Sequence, residues 1–411
     1  MRPTALFLFV SGVTIDALRV AAASSRRYNC KSLLRSRTQV GSLLTFPPFQ
    51  SHRLLPGGHL QTLAGVYLAG RPLAYRATKH QIAVSDDDAV VLHDDCPTGW
   101  RPGDRTALLL HGLSGCYTSQ YMLRIAAKLN NVGVRTFRKD LRGCGAGVDL
   151  AKLPYHSGRS DDAAAAVSFI GDLCSDSPTT IVGFSLGANI AIKLLGELGD
   201  ACCGGLDSAV AVCPPVDLMA CSKNLGRWSN RIYDAHFVSN LWRAARSQFA
   251  ANGANGSANN GLSHFQFPSR RPGRLYEFDD VYTAPISGFR SAEHYYRTCS
   301  SAQFVSTIRK PTLVLAAADD PMIPARLFDG IDWPSCVQFY MAAGGGHLGF
   351  IGRGGIDPDC RWMDWRVVEW MNALSNESQQ SVLRKPGVQE SRSPEPARRG
   401  GATPFPASCL P

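Results

Sequence analysis

The sequence predicts an α/β fold: a mostly parallel central sheet with helices on both faces and a cap excursion before a late, acid-bearing strand. Three observations predict it. Short apolar runs recur along the chain, amphipathic segments alternate with them, and the long interval Pro214–Ser300 breaks that alternation.

Taken in order, Gln81–Leu92 alternates and reads as an antiparallel strand or hairpin leading into the sheet. Ala107–Leu110, Val134–Phe137 and Thr180–Val182 are short apolar runs of the kind buried on both faces of a parallel sheet. Ala209–Val212, Thr312–Ala316 and Val337–Met341 complete that set. Helices are expected at Gln120–Asn130, Asp162–Cys174, Ala188–Leu198 and Trp362–Leu374. Pro214–Ser300 is rich in aromatics and would cross the carboxyl edge of the sheet, where α/β proteins hold ligands. Its Trp228–Trp242 portion reads equally as an acyl-binding cap or an aromatic mini-core.

The globular domain is expected over residues 46–375, with a cap-like region at about 214–300 and a low-complexity insertion, AANGANGSANNG, at 250–261. Residues 376–411 lack apolar periodicity and read as a disordered tail. Residues 1–45 read as a leader or disordered extension. An apolar Ala5–Ile15 before Ala21-Ala22-Ala23-Ser24 suggests a signal peptide, the acid-free Ser24–Arg37 an organellar transit peptide, and an extension without function is the third reading. The location therefore reads as cytoplasmic or peripheral to a membrane unless that leader is an export or organellar signal.

The 411 residues carry 43 Lys and Arg against 33 Asp and Glu, a net charge of +10, much of it near the two ends. No basic stripe interleaved with aromatics runs through the core, so no nucleic-acid partner is expected. Thirteen cysteines lack C-x-x-C pairing, which argues against a zinc ribbon and for buried thiols. No run of 18 apolar residues suggests a spanning helix; peripheral membrane contact stays open.

The chemistry concentrates in Gly183-Phe184-Ser185-Leu186-Gly187, a G-x-S-x-G between a strand and a helix. That context is a nucleophile elbow, in which flanking glycines spare the crossing strand and helix any clash with Cβ atoms. A serine hydroxyl needs a base within reach, and the base an acid that orients it. The strand Pro311–Ala317 runs into Asp319-Asp320-Pro321-Met322-Ile323-Pro324, and Val337–Met341 runs into the glycine-rich Gly344-Gly345-Gly346-His347. Ser185, Asp320 and His347 are thus the catalytic candidates. Asp320-Pro321-Met322-Ile323-Pro324 resembles the D-x-x-[IV]-P arrangement in which α/β-hydrolases commonly place the acid, and Asp319, one residue out, would then cap the following turn or helix. The oxyanion donors are expected to be the amides of Leu186 and of Leu113, the latter in His111-Gly112-Leu113-Ser114-Gly115 after an early strand. His111 reads as a residue shaping that loop. Asp140 and Arg142 read as a buried ion pair bracing loops, with substrate contact as the other reading.

With those motifs, the chain resembles an α/β-hydrolase, and within that superfamily its YheT-like branch of esterases, plant embryogenesis-associated proteins and abhydrolase-domain lipases. Gly58-His59-Leu60-Gln61-Thr62-Leu63, Arg138–Gly145, Tyr155-His156-Ser157-Gly158, Phe278–Pro285, Gly288-Phe289 and Tyr295-Tyr296 carry the match alongside the elbow. The resemblance spans roughly residues 46–375. It implies acylglycerol, phospholipid or short-chain ester substrates, and the residues imply no cofactor and no metal. An acyltransferase or thioesterase with the same three residues, or a non-catalytic scaffold binding a ligand or partner, are the rival readings.

Overall fold

The computed structural model describes residues 44–68, 76–254 and 265–383. The expectations made for residues 1–43, for 255–261 of the insertion and for 384–411 lie outside them. Eight strands form one sheet: β1 (Thr78–Ala83), β2 (Ala89–Asp95), β3 (Thr106–Leu110), β4 (Arg135–Asp140), β5 (Thr179–Phe184), β6 (Leu206–Val212), β7 (Thr312–Ala317) and β8 (Val337–Ala342). Their order is β1-β2-β4-β3-β5-β6-β7-β8. β1 and β2 pair antiparallel, β2 meets β4 antiparallel, and all later pairings are parallel. The alternating segment at 81–92 is a hairpin, broken by a tight turn at Ser85–Asp87 where Asp87 adopts φ 56°.

Strands β3, β5 and β7 (TALLL, TTIVGF and TLVLAA) are buried at every position, as expected of a sheet covered on both faces. Successive side chains alternate between two cores. Leu108 and Leu110 pack with Ala164, Val167, Ile190 and Leu194 of helices α3 (Ser160–Leu173) and α4 (Leu186–Leu198). Ala107 and Leu109 face the other side, against Met122, Ile125 and Leu129 of α2 (Gln120–Asn131) and Val367, Trp370 and Met371 of α8 (Trp362–Leu383). Helix α1 (Gly58–Tyr67) precedes the sheet, and α5 (Leu218–Leu225), α6 (Arg231–Ala254) and α7 (Ala292–Cys299) belong to the excursion between β6 and β7. Between α6 and α7 the chain coils through Leu275–Ile286, with a π-helical turn at Asp279–Thr283. Among the described residues no helix is long and apolar enough to cross a membrane.

Three boundaries differ from the sequence reading. β4 extends past Phe137 to Asp140 although Arg138, Lys139 and Asp140 are charged. Cross-strand partners on β2 make this tolerable: Arg135 pairs with Asp94 at 2.6 Å, Arg138 with Asp95 at 2.7 Å, and Asp140 with His93 at 2.9 Å. α8 continues beyond residue 375 to Leu383, because a helix anchored by packing propagates at little cost into residues of fair helix propensity. α6 likewise carries Ala250–Ala254, the start of the supposed insertion loop.

Asp140 and Arg142 do not pair with each other. Asp140 accepts from the Tyr117 and Ala146 amides at 2.8 and 2.9 Å as well as facing His93. The Arg142 guanidinium, fully buried, lies 2.8 Å from Asp88 and 2.7 Å from Asp162. Asp88 also accepts from the amides of Lys152 and Leu153. One cation thus ties the β1–β2 turn, the strand β4 exit and the start of α3. Arg142→Ala leaves two buried carboxylates without their cation, so a loss of about 3–5 kcal/mol is expected. Urea unfolding of the variant against the parent measures it, and an unchanged midpoint would remove Arg142 from this role.

Candidate active site

Ser185 sits between β5 and α4 with φ 52° and ψ −118°. This is left-handed backbone that few non-glycine residues adopt, and its cost is on the order of 1–3 kcal/mol. Its amide donates to the Val212 carbonyl at 2.9 Å. The glycines on either side are required by space: a Cβ on Gly187 would overlap the carbonyl oxygens of Leu110 and His111, and one on Gly183 would overlap the Gly187–Ala188 backbone.

His347 lies after β8 and reaches back to the serine. Its Nε2 is 2.9 Å from Ser185 Oγ and its Nδ1 is 2.8 Å from Asp320 Oδ2. Asp320 and His347 are both buried. The other oxygen of Asp320 accepts from the amides of Met322 and Ile323 at 2.8 and 3.0 Å, so this carboxylate itself caps the following turn. Asp319, expected to do so, instead accepts from the Gly346 amide at 2.8 Å and steadies the histidine loop. Both carboxylates lie in the turn beyond β7 and engage the same loop, Asp319 at the Gly346 amide and Asp320 at the imidazole.

The thiol of Cys213 completes a buried trio with Asp320 and His347, their donor atoms all within 4.8 Å of one another. Burial and the nearby Asp320 charge push that thiol well up, away from the thiolate a metal needs, and the other two groups are engaged with each other. The trio does not fit a metal.

The loop after β3 is set by two tyrosines. The Gly112 amide donates to Tyr121 Oη and the Ser114 amide to Tyr155 Oη, each at 2.9 Å. Leu113 stands between them, and neither its amide nor that of Leu186 donates to an acceptor among the described residues. Both residues line the same cavity as Ser185 and His347. His111 is buried; its Nε2 accepts from the Leu141 amide at 3.1 Å and its Nδ1 meets the Gly112 carbonyl at 2.8 Å. Burial lowers its pKa to about 4, keeping it neutral.

Helix α1 supplies contacts that the sequence reading left without a role. Thr62 Oγ1 accepts from the His347 amide at 2.8 Å. Gln61 is wholly buried: its Oε1 accepts from the Ile351 amide at 2.7 Å while its Nε2 donates to the carbonyls of Leu55 and Ile351. Gly346 and Gly349 lie so close to this helix that a Cβ on either would overlap the carbonyls of Gly58 and Gln61. The polar Gln-Thr pair within an otherwise apolar helix was the available signal.

The cavity opens to solvent and has a volume of about 120 Å³. Phe237 and Leu241 of α6, Leu218 of α5, and Met322 and Ile323 beside Asp320 form much of its wall. Trp242 packs with Phe267 at 4.8 Å in a cluster whose Phe278 and Tyr282 also line the cavity, whereas Trp228 is exposed; the aromatic region is therefore part wall and part mini-core.

The sheet order, the left-handed serine at the central strand's end and the late histidine together define the α/β-hydrolase class. A profile of the alpha/beta hydrolase fold matches residues 107–353, and the chain belongs to that family. YheT of Escherichia coli, which is named as a candidate esterase, is 32% identical over 265 residues, 64% of this chain and 75% of that protein. The embryogenesis-associated protein EMB8 of Picea glauca is 25% identical over 374 residues, 86% and 78% of the two chains. A monoacylglycerol lipase of Saccharomyces cerevisiae is 28% identical over 265 residues, 62% and 58% respectively.

One polar group in the cavity wall stands out. Asp279, in the π-helical turn, is buried, accepts from Tyr296 Oη at 2.5 Å, and has no ion-pair partner among the described residues. Burial raises its pKa to about 6, against the opposing hydrogen bonds from Tyr296 and Thr283. A carboxyl raised in the folded state contributes stability fully below about pH 4, and that contribution is lost as pH climbs through 6. Asp279→Asn removes the titration. The variant should gain on the parent by up to about 3 kcal/mol between pH 4 and pH 8, read from melting curves across that range. A difference that does not vary with pH would refute the assignment.

Proposed function

We propose that this protein is a serine hydrolase that cleaves carboxylic esters through an acyl-enzyme. The observation that carries this reading is the hydrogen-bond relay from Asp320 through His347 to Ser185, with the serine facing an apolar cavity. In the proposed cycle His347 Nε2 takes the Ser185 proton as Oγ attacks the ester carbonyl carbon. The carbonyl oxygen, now an anion, accepts from the Leu113 and Leu186 amides, which have no competing acceptor. Collapse of the tetrahedral species breaks the bond to the alcohol oxygen, and His347 returns the proton to that alcohol as it leaves. A water then gives its proton to His347 and attacks the acyl carbon, releasing the acid and restoring Ser185. Asp320 holds Nδ1 protonated and stabilises the imidazolium, while the Met322 and Ile323 amides keep its carboxylate from rotating away.

The wall formed by Phe237, Leu241, Leu218 and Ile323 favours an apolar acyl chain over a charged one. Relatives named for esterase and monoacylglycerol lipase activity support the same class of bond. Ser185→Ala should abolish fluorophosphonate labelling and reduce p-nitrophenyl ester turnover by several orders of magnitude with the melting temperature preserved. Undiminished turnover by that variant would refute the reading. Asp320→Asn should lower kcat by on the order of 10³–10⁴. Asp319→Asn, measured beside it, should retain most activity, since its oxygen meets the Gly346 amide and not the imidazole; collapse confined to Asp319→Asn would reverse the two roles.

A further inference from the structure

Helix α1 is amphipathic in the reverse sense. Its polar Gln61 and Thr62 point into the protein, and Leu60, Leu63, Val66 and Tyr67 point outward, Tyr67 being 72% exposed. Just before the helix, Leu54 is 80% exposed. A helix facing water displays the opposite arrangement. A second apolar pair, Trp228 at 84% and Ile232 at 78% exposure, stands at the start of α6. The two groups are adjacent: His59 of α1 stacks on Tyr233 of α6 with ring centres 5.7 Å apart and planes 6° from parallel, and its Nδ1 is 3.0 Å from Tyr233 Oη.

Charge follows the same surface. No Asp or Glu occurs from residue 44 to residue 68, a span that includes α1 and the exposed Arg53. Lys223, Arg227 and Arg231, all exposed, alternate with Trp228 and Ile232, and residues 218–233 also contain no acid. Exposed apolar chains, a tryptophan and a tyrosine, and cations without interspersed acids form the pattern that binds at a lipid–water boundary and favours anionic headgroups.

We infer that the outward face of α1, together with Trp228 and Ile232, docks on an anionic lipid surface. Roughly one and a half and two and a half turns beyond Ile232 on α6 are Phe237 and Leu241, which line the cavity, so the docked face is continuous along this helix with the wall that a lipid ester would cross. Docking does not depend on Ser185 being a nucleophile, and the two readings fail separately.

The full chain is to be sedimented with vesicles of phosphatidylcholine alone or of phosphatidylcholine with phosphatidylglycerol. Binding is expected to the second, and to weaken as salt is raised. Leu63→Asp with Tyr67→Asp, and separately Trp228→Ala with Ile232→Asp, should each reduce binding by about tenfold or more. Both double variants should keep the parent's melting curve and its turnover of dissolved p-nitrophenyl acetate, since the altered side chains face outward. Vesicle binding that is absent, or that the variants retain in full, overturns the proposal. So does a dimer of the parent in light scattering that the variants convert to monomer without any lipid binding, which would mean that a second copy covers the face.

Discussion

A single backbone conformation underlies the whole carboxyl edge of the sheet: Ser185 at φ 52°, turning the chain from β5 into α4. Left alone, that residue would relax into ordinary geometry. It is held because β5 is hydrogen-bonded on both sides, to β3 and β6, and because α4 is buried along nearly its whole length. Gly183 and Gly187 allow strand, turn and helix to pass within contact distance of the Leu110–His111 backbone. The rigidity of the sheet is thus transmitted to one hydroxyl, whose position would otherwise depend on a flexible loop.

Around that fixed point, buried polar groups set the rest. Tyr121 and Tyr155 occupy the hydrogen-bonding capacity of the amides that flank Leu113. Asp319 and Thr62 take the amides of Gly346 and His347, so the histidine loop is fastened from two elements distant in sequence. Every one of these contacts would cost about 1–3 kcal/mol if a single partner were removed and the other left buried. The site is therefore positioned by saturation: groups with a partner stay in place, while the Leu113 and Leu186 amides donate to no acceptor among the described residues.

Much of this was legible in the sequence where the signal is local. The six apolar runs announced β3 to β8, because strands covered on both faces read as near-continuous apolar runs, even where, as in β4, only part of the strand is apolar. The glycines around Ser185 and the proline spacing after Asp320 reported backbone needs within five residues. Where partners are far apart, the sequence was silent or misleading. The charges of β4 disguised a buried strand because the partners of Arg135, Arg138 and Asp140 lie on β2. Asp319 gave no hint of turning toward Gly346, since only the folded loop makes that choice available. Gln61, Tyr121 and Asp279 looked like ordinary polar or aromatic residues until packing enclosed them. The reversed face of α1 went unread in the sequence, because an inside and an outside can be assigned to it only with the histidine loop beside it.

That fastening has a temporal side. The bond between Thr62 and the His347 amide spans 285 residues, and Gln61 grips Ile351 across 290. Contacts of such sequence separation form late, after the loop-closure entropy between them has been overcome by nearer pairings. During synthesis β1 to β6 and the Ser185 turn can assemble while the strand that carries Asp320 and the loop that carries His347 are still inside the ribosome. The serine would then stand for a time on a nearly finished scaffold before the histidine loop reaches it. In a nascent chain of this architecture the Asp320–His347–Ser185 contacts are completed only when the closing segment docks under α1.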